Sequence, residues 1–268
     1  MLRSMLWKLS RKKTGISKWL RNGASRYLDY YNDFCYDFDR NGESVVIERL
    51  SRSSLRTIFD VGANIGEWSK MCAVAFPGSI IHSFELSERT RIALKKNLAN
   101  PRFIVPEFAL GSKNGEFLYK DYGDRSPINT LVETTFHDAK RPFTMRTAKI
   151  ITGDSYMASQ NIAQIDLLKI DVEGAEFQVL EGFRDALKDH KIRIIQFEYG
   201  YANGDAGHLM KDFYTLLQES EYEIGKIWTA GVRFSQFEYR MNNFDSGPNY
   251  LAVAKSDRTL IDLLRSST

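Results

Sequence analysis

The chain has 268 residues, 43% of them hydrophobic and 26% charged, enough for one α/β domain with a large core and against general disorder. Its net charge of +3 is uneven: residues 1–28 hold eight Lys and Arg and no acid, leaving 29 basic against 34 acidic residues, or −5, in the remainder. That mildly acidic body argues against a nucleic-acid enzyme, and two separated cysteines, Cys35 and Cys72, support neither a disulfide framework nor a metal knuckle. No apolar run approaches the ~18 residues of a membrane span, and no secretory signal is recognisable. The expected location is cytoplasmic, with reduced thiols.

Leu2, Met5, Leu6 and Leu9 fall on one face at helical spacing, and Ile16, Trp19 and Leu20 repeat the pattern after Gly15. Residues 1–22 therefore read as one or two short basic amphipathic helices, with Lys8, Arg11, Lys12, Lys13, Lys18 and Arg21 on much of the remaining surface. Such a segment suits peripheral contact with an anionic membrane, and equally docking on its own domain or on a second subunit of a homo-oligomer. Tyr27, Tyr30, Tyr31, Phe34, Tyr36 and Phe38 make 27–39 aromatic and acidic, and read as core and lid packing. Asn41-Gly42 marks a turn before a helix over Glu43 to Leu50. Residues 1–50 thus form a helical extension, 51–256 the main domain and 257–268 a C-terminal tail.

Thr57 to Trp68 runs from a buried strand (Ile58, Phe59, Val61) through Gly62-Ala63-Asn64-Ile65-Gly66 into an amphipathic helix. Strand, glycine turn and helix bring backbone N–H groups against a nucleotide-like ligand. Asp60 inside the apolar run is costly to bury unless a cation or hydrogen bond faces it. A second strand follows at Ser79–Glu85, with His82 inside it as a structural residue and Ser87 capping a helix to about Leu98. A third strand is expected over Arg102–Leu110, and a β excursion at Phe117–Tyr119 and Thr147–Ile151 encloses a polar stretch, 121–146, long enough to be a lid or binding loop. Further strands are expected at Ile165–Ile170, Lys191–Phe197, Tyr222–Trp228 and Asn249–Ala254, with helices over Ala175–Leu187, weakened at Gly182, and Leu209–Gln218. The alternation predicts an α/β fold: a doubly wound, mostly parallel, seven-stranded sheet with a helical N-terminal extension.

In that frame Asp60, Glu85, Asp171 with Glu173, and Glu198 collect at the carboxyl ends of strands, where such folds bind ligands. Glu85, about 20 residues beyond the glycine turn, is placed to accept ribose hydroxyls. The ordered set Asp60-Val61-Gly62-Ala63-Asn64-Ile65-Gly66, Phe84-Glu85, Ala109-Leu110-Gly111-Ser112 and Asp166 to Glu176, with its Asp171-Val172-Glu173-Gly174-Ala175-Glu176 element, resembles the FkbM family of S-adenosylmethionine (SAM) methyltransferases. The likeness runs from about Asp39 to Ala254, and Leu86 stands where the family more often has proline.

The resemblance implies a Rossmann-like class I fold and SAM-dependent O-methylation of a sugar, glycan, glycolipid or natural-product hydroxyl. It implies SAM at 60–66, with Asp60 organising a loop of Gly62, Ala63, Asn64 and Gly66, Glu85 and Leu86 at the ribose, and Ala109 and Leu110 near the adenine. Asp171 is expected at the cofactor and the reacting centre. Asp171, Glu173 and Glu198 are candidate bases, or oxygen ligands of a divalent metal such as Mg²⁺ or Mn²⁺. His208 is a further base candidate. Glu173 bracing its turn and Glu176 capping the next helix are the bland alternatives. A silent SAM or nucleoside binder, and a membrane-associated scaffold, remain the competing functions.

Overall fold

The computed structural model describes residues 2–11, 13–32, 34–35, 37–135, 141–244 and 247–266. Lys12, Tyr36 and residues 136–140 of the polar stretch lie outside them, as does the side chain of Leu2. The chain forms α1 (Leu2–Arg11), α2 (Gly15–Tyr31), α3 (Glu43–Leu50), β1 (Thr57–Val61), α4 (Glu67–Ala75), β2 (Ile80–Phe84), α5 (Glu88–Asn97), β3 (Phe103–Ile104), β4 (Ala109–Leu110), β5 (Gly115–Asp121) and β6 (Thr144–Ile151). It continues with α6 (Gly153–Ser159), β7 (Ile165–Ile170), α7 (Glu176–Glu181), α8 (Arg184–Lys188), β8 (Ile192–Glu198), α9 (Tyr201–Asp205), α10 (Met210–Glu219), β9 (Tyr222–Trp228), β10 (Gly231–Phe234), β11 (Asn249–Ala254) and α11 (Arg258–Leu264).

The main sheet has the order β10-β9-β11-β8-β7-β1-β2-β3. Strands β8, β7, β1, β2 and β3 are parallel, while β11 is antiparallel to both neighbours and β10 to β9. Eight strands stand where seven were expected, because β9 turns back through Thr229-Ala230 into β10, a tight hairpin without an Asn-Gly or Asp-Gly signal. The expected third strand divides at Pro106, which has no N–H for a ladder. Its first part, β3, pairs with β2, and its second, β4, joins a separate β4-β6-β5 sheet. The expected helix over 175–187 also divides, into α7 and α8, where a Cβ on Gly182 would lie 2.1 Å from the Gly111 carbonyl oxygen. Ser87 caps α5 as expected, its hydroxyl accepting from the Thr90 N–H.

Successive residues of the inner strands face opposite cores, as the two-residue period of a strand requires. Phe59, Leu168 and Ile195 enter one cluster with Val179, Phe183 and Phe213. Ile58, Leu167 and Ile194 enter the other with Val46, Ile47, Leu50, Leu260, Ile261 and Leu264. Segments 43–50 and 258–264, read above as extension and tail, are therefore helices built into the body. The Arg49 guanidinium fastens them together by donating to the carbonyls of Leu264 and Arg265, 2.9 Å each.

The N-terminal helices behave differently. No residue of α2 is buried, and Met5, Leu6, Trp7, Ile16, Trp19, Leu28, Tyr27, Tyr30 and Tyr31 are exposed. The reading of Tyr27, Tyr30 and Tyr31 as packing residues is corrected: α2 runs on to Tyr31 and holds them in solvent, whereas Phe38 packs on the core. Ile261→Ala tests the status of the C-terminal helix. Loss of a fully buried side chain there is expected to cost about 2–5 kcal/mol of unfolding free energy, read by denaturant titration. A cost under about 1 kcal/mol would show that α11 is dispensable to the core.

Candidate active site

The site is built around a buried lysine. Lys169 lies in β7 in register with Asp60 of β1, at the centre of the sheet. Its Nζ is 2.9 Å from Asp171 Oδ2 and 3.9 Å from Asp60 Oδ1. Burial works against the Lys169 charge, but Asp171, Asp60 and Glu43 outweigh it and hold the ammonium above its ordinary pKa. Burial pushes Asp60 up, partly offset by Lys169 and by the Ser69 hydroxyl, which donates to Oδ2 at 2.6 Å. Glu43, also pushed up by burial, accepts from the Asn41, Gln196 and Asn249 side-chain amides. This is the cation that Asp60 required. The lysine was visible in the sequence, but only the β1–β7 register shows which carboxylate it serves.

Asp60 reaches the rim indirectly. It holds Ser69 at the start of α4, and Ser69 bonds Ser83 of β2 at 2.8 Å. Above it, the N–H groups of Gly62 and Ala63 both donate to the Phe84 carbonyl at 2.9 Å, tying the glycine turn to β2. Gly62 has φ +90°, and a Cβ there would lie 1.7 Å from the Asp171 carbonyl oxygen. This glycine is thus required by the close approach of the turn after β7. Gly66, at φ +89°, likewise makes room for Leu94 of α5 and for Leu98 just beyond it.

Beyond the turn opens a narrow cleft at the carboxyl ends of β1, β2 and β7. Gly62, Asn64, Glu85, Leu86, Ala109, Leu110 and Asp171 line it, as expected from the sequence, whereas Asp60, Ala63 and Gly66 stand behind. Glu85 is fixed by two backbone donors, Asn64 N–H to Oε2 at 3.0 Å and Ser87 N–H to Oε1 at 2.8 Å. Burial nonetheless pushes its pKa up to about 7. Each oxygen keeps a further acceptor position, since a carboxylate offers about four. Two buried polar atoms of the lining have no partner: the acceptor Asn64 Oδ1 and the donor Asn129 Nδ2.

Asn129 belongs to a wall that sequence reasoning did not resolve. Ser126, Pro127, Asn129 and Leu131, from the polar stretch after β5, cover the cleft. That stretch is anchored at the rim, where the Thr130 hydroxyl donates to the Glu173 carbonyl at 2.7 Å and Thr135 bonds Asp205. A second cavity adjoins, lined by Pro127, Ile128, Glu173, Gly174, Glu176, Glu198, Gly200, Tyr201, Ala202 and Asn203. Pro127 and Glu173 border both spaces. Glu173 sits at φ +57° in a turn held by Glu176, whose carboxylate accepts from the N–H groups of Val172 and Gly174 and from the Asn203 amide. Glu176 is therefore a brace, with its pKa pushed up to about 7 by burial.

At the floor, Asp171 and Glu198 form a hydrogen-bonded pair. Burial, then Asp171 and Glu173, push Glu198 well above the carboxylate range. Burial acts on Asp171 too, but Lys169 and the bond from Glu198 outweigh it and hold Asp171 below its ordinary value. The two neighbouring carboxyl groups are thus pushed in opposite directions, Glu198 up and Asp171 down. His208 lies elsewhere, stacked on Phe177 with ring centroids 4.3 Å apart, and lines neither space. His82 is structural as read: its Nδ1 meets the Tyr156 hydroxyl at 2.8 Å, and burial lowers its pKa to about 4.

The family model described as the methyltransferase FkbM domain matches residues 60–224, from Asp60 through both cavities into β9. The chain belongs to the FkbM methyltransferase family. The hexuronic acid methyltransferase AglP of Haloferax volcanii is 28% identical to this FkbM-family chain over 178 residues, 65% of this chain and 70% of that protein. The 31-O-demethyl-FK506 methyltransferase FkbM of Streptomyces tacrolimicus is 31% identical over 156 residues, 48% of this chain and 60% of its own length. The 2-O-methyltransferase NoeI of Sinorhizobium fredii is 26% identical over 156 residues, 53% and 62% of the two chains. Among solved structures, the O-methyltransferase from Bacillus cereus in complex with SAH aligns over 86% of this chain and 88% of that one, at 13% identity and a TM-score of 0.44.

Lys169→Met tests the electrostatic centre. Removing the one cation from between buried carboxylates is expected to cost about 3–5 kcal/mol of stability, measured by denaturant unfolding. A variant as stable as the parent would show that Asp60, Glu43 and Asp171 are held without it.

Proposed function

We propose that this methyltransferase is a SAM-dependent O-methyltransferase acting on a hydroxyl of a sugar, glycan, glycolipid or natural-product acceptor. The observation that carries the reading is the junction of the two cavities at Glu173, beside the Asp171–Glu198 pair. The relatives support oxygen as the atom methylated, since two are named for an O-position and one for a hexuronic acid.

The first cleft fits SAM on its own chemistry. Glu85 retains acceptor positions for ribose hydroxyls, and the unpartnered Asn64 Oδ1 and Asn129 Nδ2 suit a ligand bearing both donors and acceptors. Ala109, Leu110 and Phe84 supply an apolar wall for the adenine. Bound SAM supplies an electrophilic methyl group on a sulfonium. The chain's part is to align an acceptor oxygen from the second cavity and to accept its proton. Asp171 is the ionised member of its pair and receives that proton, while Glu173, bordering both spaces, orients the hydroxyl. The same three acids are the oxygen donors available to Mg²⁺ or Mn²⁺, although no group of three or more His, Cys, Asp or Glu is arranged for an ion among the described residues. The commitment of Asp171 to Lys169 and Glu198 favours proton handling over ligation.

Two measurements test this reading. Calorimetry should show SAM binding that weakens as the pH falls through about 7, where Glu85 gains its proton, and Glu85→Gln should weaken binding and remove that dependence. Pairing the assay with product detection from glycan acceptors, with EDTA and then Mg²⁺, separates an enzyme from a silent binder and reads metal dependence. Absence of SAM binding in the folded protein would end the proposal.

Peripheral membrane contact is the second reading, favoured by the exposure of Met5, Leu6, Trp7, Ile16, Trp19 and Leu28 on α1 and α2, which carry six Lys and Arg. Among the described residues no helix is long and apolar enough to cross a membrane, so α1 and α2 would lie at the interface. Deleting residues 1–22 should abolish salt-sensitive flotation with phosphatidylglycerol vesicles and leave SAM binding intact. Flotation equal to that of the full chain would leave self-association as the use of these helices.

A further inference from the structure

A third cavity opens on the same rim of the sheet. Its lining includes Tyr31 and Asn32 at the end of α2, Lys226 and Trp228 of β9, Arg233 of β10, and Arg240 and Asn243. Its position follows from register: Tyr250 of β11 pairs with Phe197 of β8 and with Lys226 of β9. Lys226 is therefore two strands, or roughly 10 Å, from the end of β8 that carries Glu198. The intervening wall is the segment around 239–244, where Phe244 packs on Tyr199 and Tyr201 and the Tyr199 hydroxyl bonds the Asn242 carbonyl. Tyr201 lines the second cavity, so one short segment divides the two spaces.

The chemistry of this third cavity is cationic on an otherwise acidic body. Lys226 and Arg233 both stack on the Trp228 ring, at 3.7 and 4.4 Å from its centroid, which gathers two positive charges on one indole. Arg240 adds a third at the edge, ion-paired at 2.7 Å with Glu238, the one carboxylate of the lining, and the Lys226 ammonium also donates to the Asn32 carbonyl. Ser235 and Asn243 add hydroxyl and amide groups. Two cations held on one indole, with a third arginine and neutral donors lining the same space, match a group with three or four acceptor oxygens better than a neutral sugar.

We infer that this cavity is a phosphate-binding site, set to hold a phosphate ester beside the acceptor cavity. It needs neither SAM nor methyl transfer to bind, so it stands or falls separately from the reading above. The phosphate comes either from a soluble ester or from a lipid headgroup presented at the end of α2.

The test uses the full chain with inorganic phosphate and glycerol 3-phosphate, followed by tryptophan fluorescence, and then with phosphatidylglycerol against phosphatidylcholine vesicles. Saturable binding of the soluble probes is expected, with the signal lost in Trp228→Phe and affinity at least tenfold weaker in an Arg233→Gln, Arg240→Gln double variant. SAM affinity, measured on the same preparations, should be unchanged and shows that the variants fold. Binding only to phosphatidylglycerol vesicles, weakened by the double variant with α1 and α2 intact, would support the site and assign it to a headgroup. No saturable response to any probe, or the same affinity in the double variant, overturns the inference.

Discussion

One ammonium group at the middle of the sheet sets the terms for the rest. Lys169 stands between Asp60, Asp171 and Glu43, which come from β1, the turn after β7 and the start of α3. Without it, three acids would meet in a region with little water to separate them, and the cost of burying each charge would fall on the fold. With it, β1 and β7 can run side by side with polar residues inside and still end in a usable rim. The same cation holds Asp171 down while burial and Asp171 push Glu198 up, so the environment shifts two neighbouring carboxyl groups in opposite directions.

Much of this was legible in the residues. Asp60 in an apolar run announced that something must answer it, and Glu85 after the second strand announced a ligand with hydroxyl groups. What the sequence could not supply was register. Lys169 sat in plain view within a buried run, but its pairing with Asp60 exists only once β1 and β7 are side by side. The glycines show a related limit. Gly62 and Gly66 mark the turn correctly, yet their missing side chains serve the neighbouring backbone and α5, while Asn64 and Asn129 leave polar atoms facing the cleft.

The elements that sequence reasoning misplaced share a cause. β10 follows a two-residue turn without the usual glycine pair, the third strand is cut by Pro106, and α11 lies beyond the last obvious strand. Each is decided by tertiary pairing more than by local pattern. The wall over 126–131 was legible only as part of a candidate lid or binding loop, 121–146, and not by residue. Nothing periodic marks Pro127 or Asn129, and their place follows from the Thr130 hydroxyl finding the Glu173 carbonyl.

That tether joins the two spaces through one wall. Pro127 borders both spaces, and its segment is held to the same turn that presents Glu173. One turn therefore shapes both spaces at once: it presents Glu173 to each and fixes the segment that walls them.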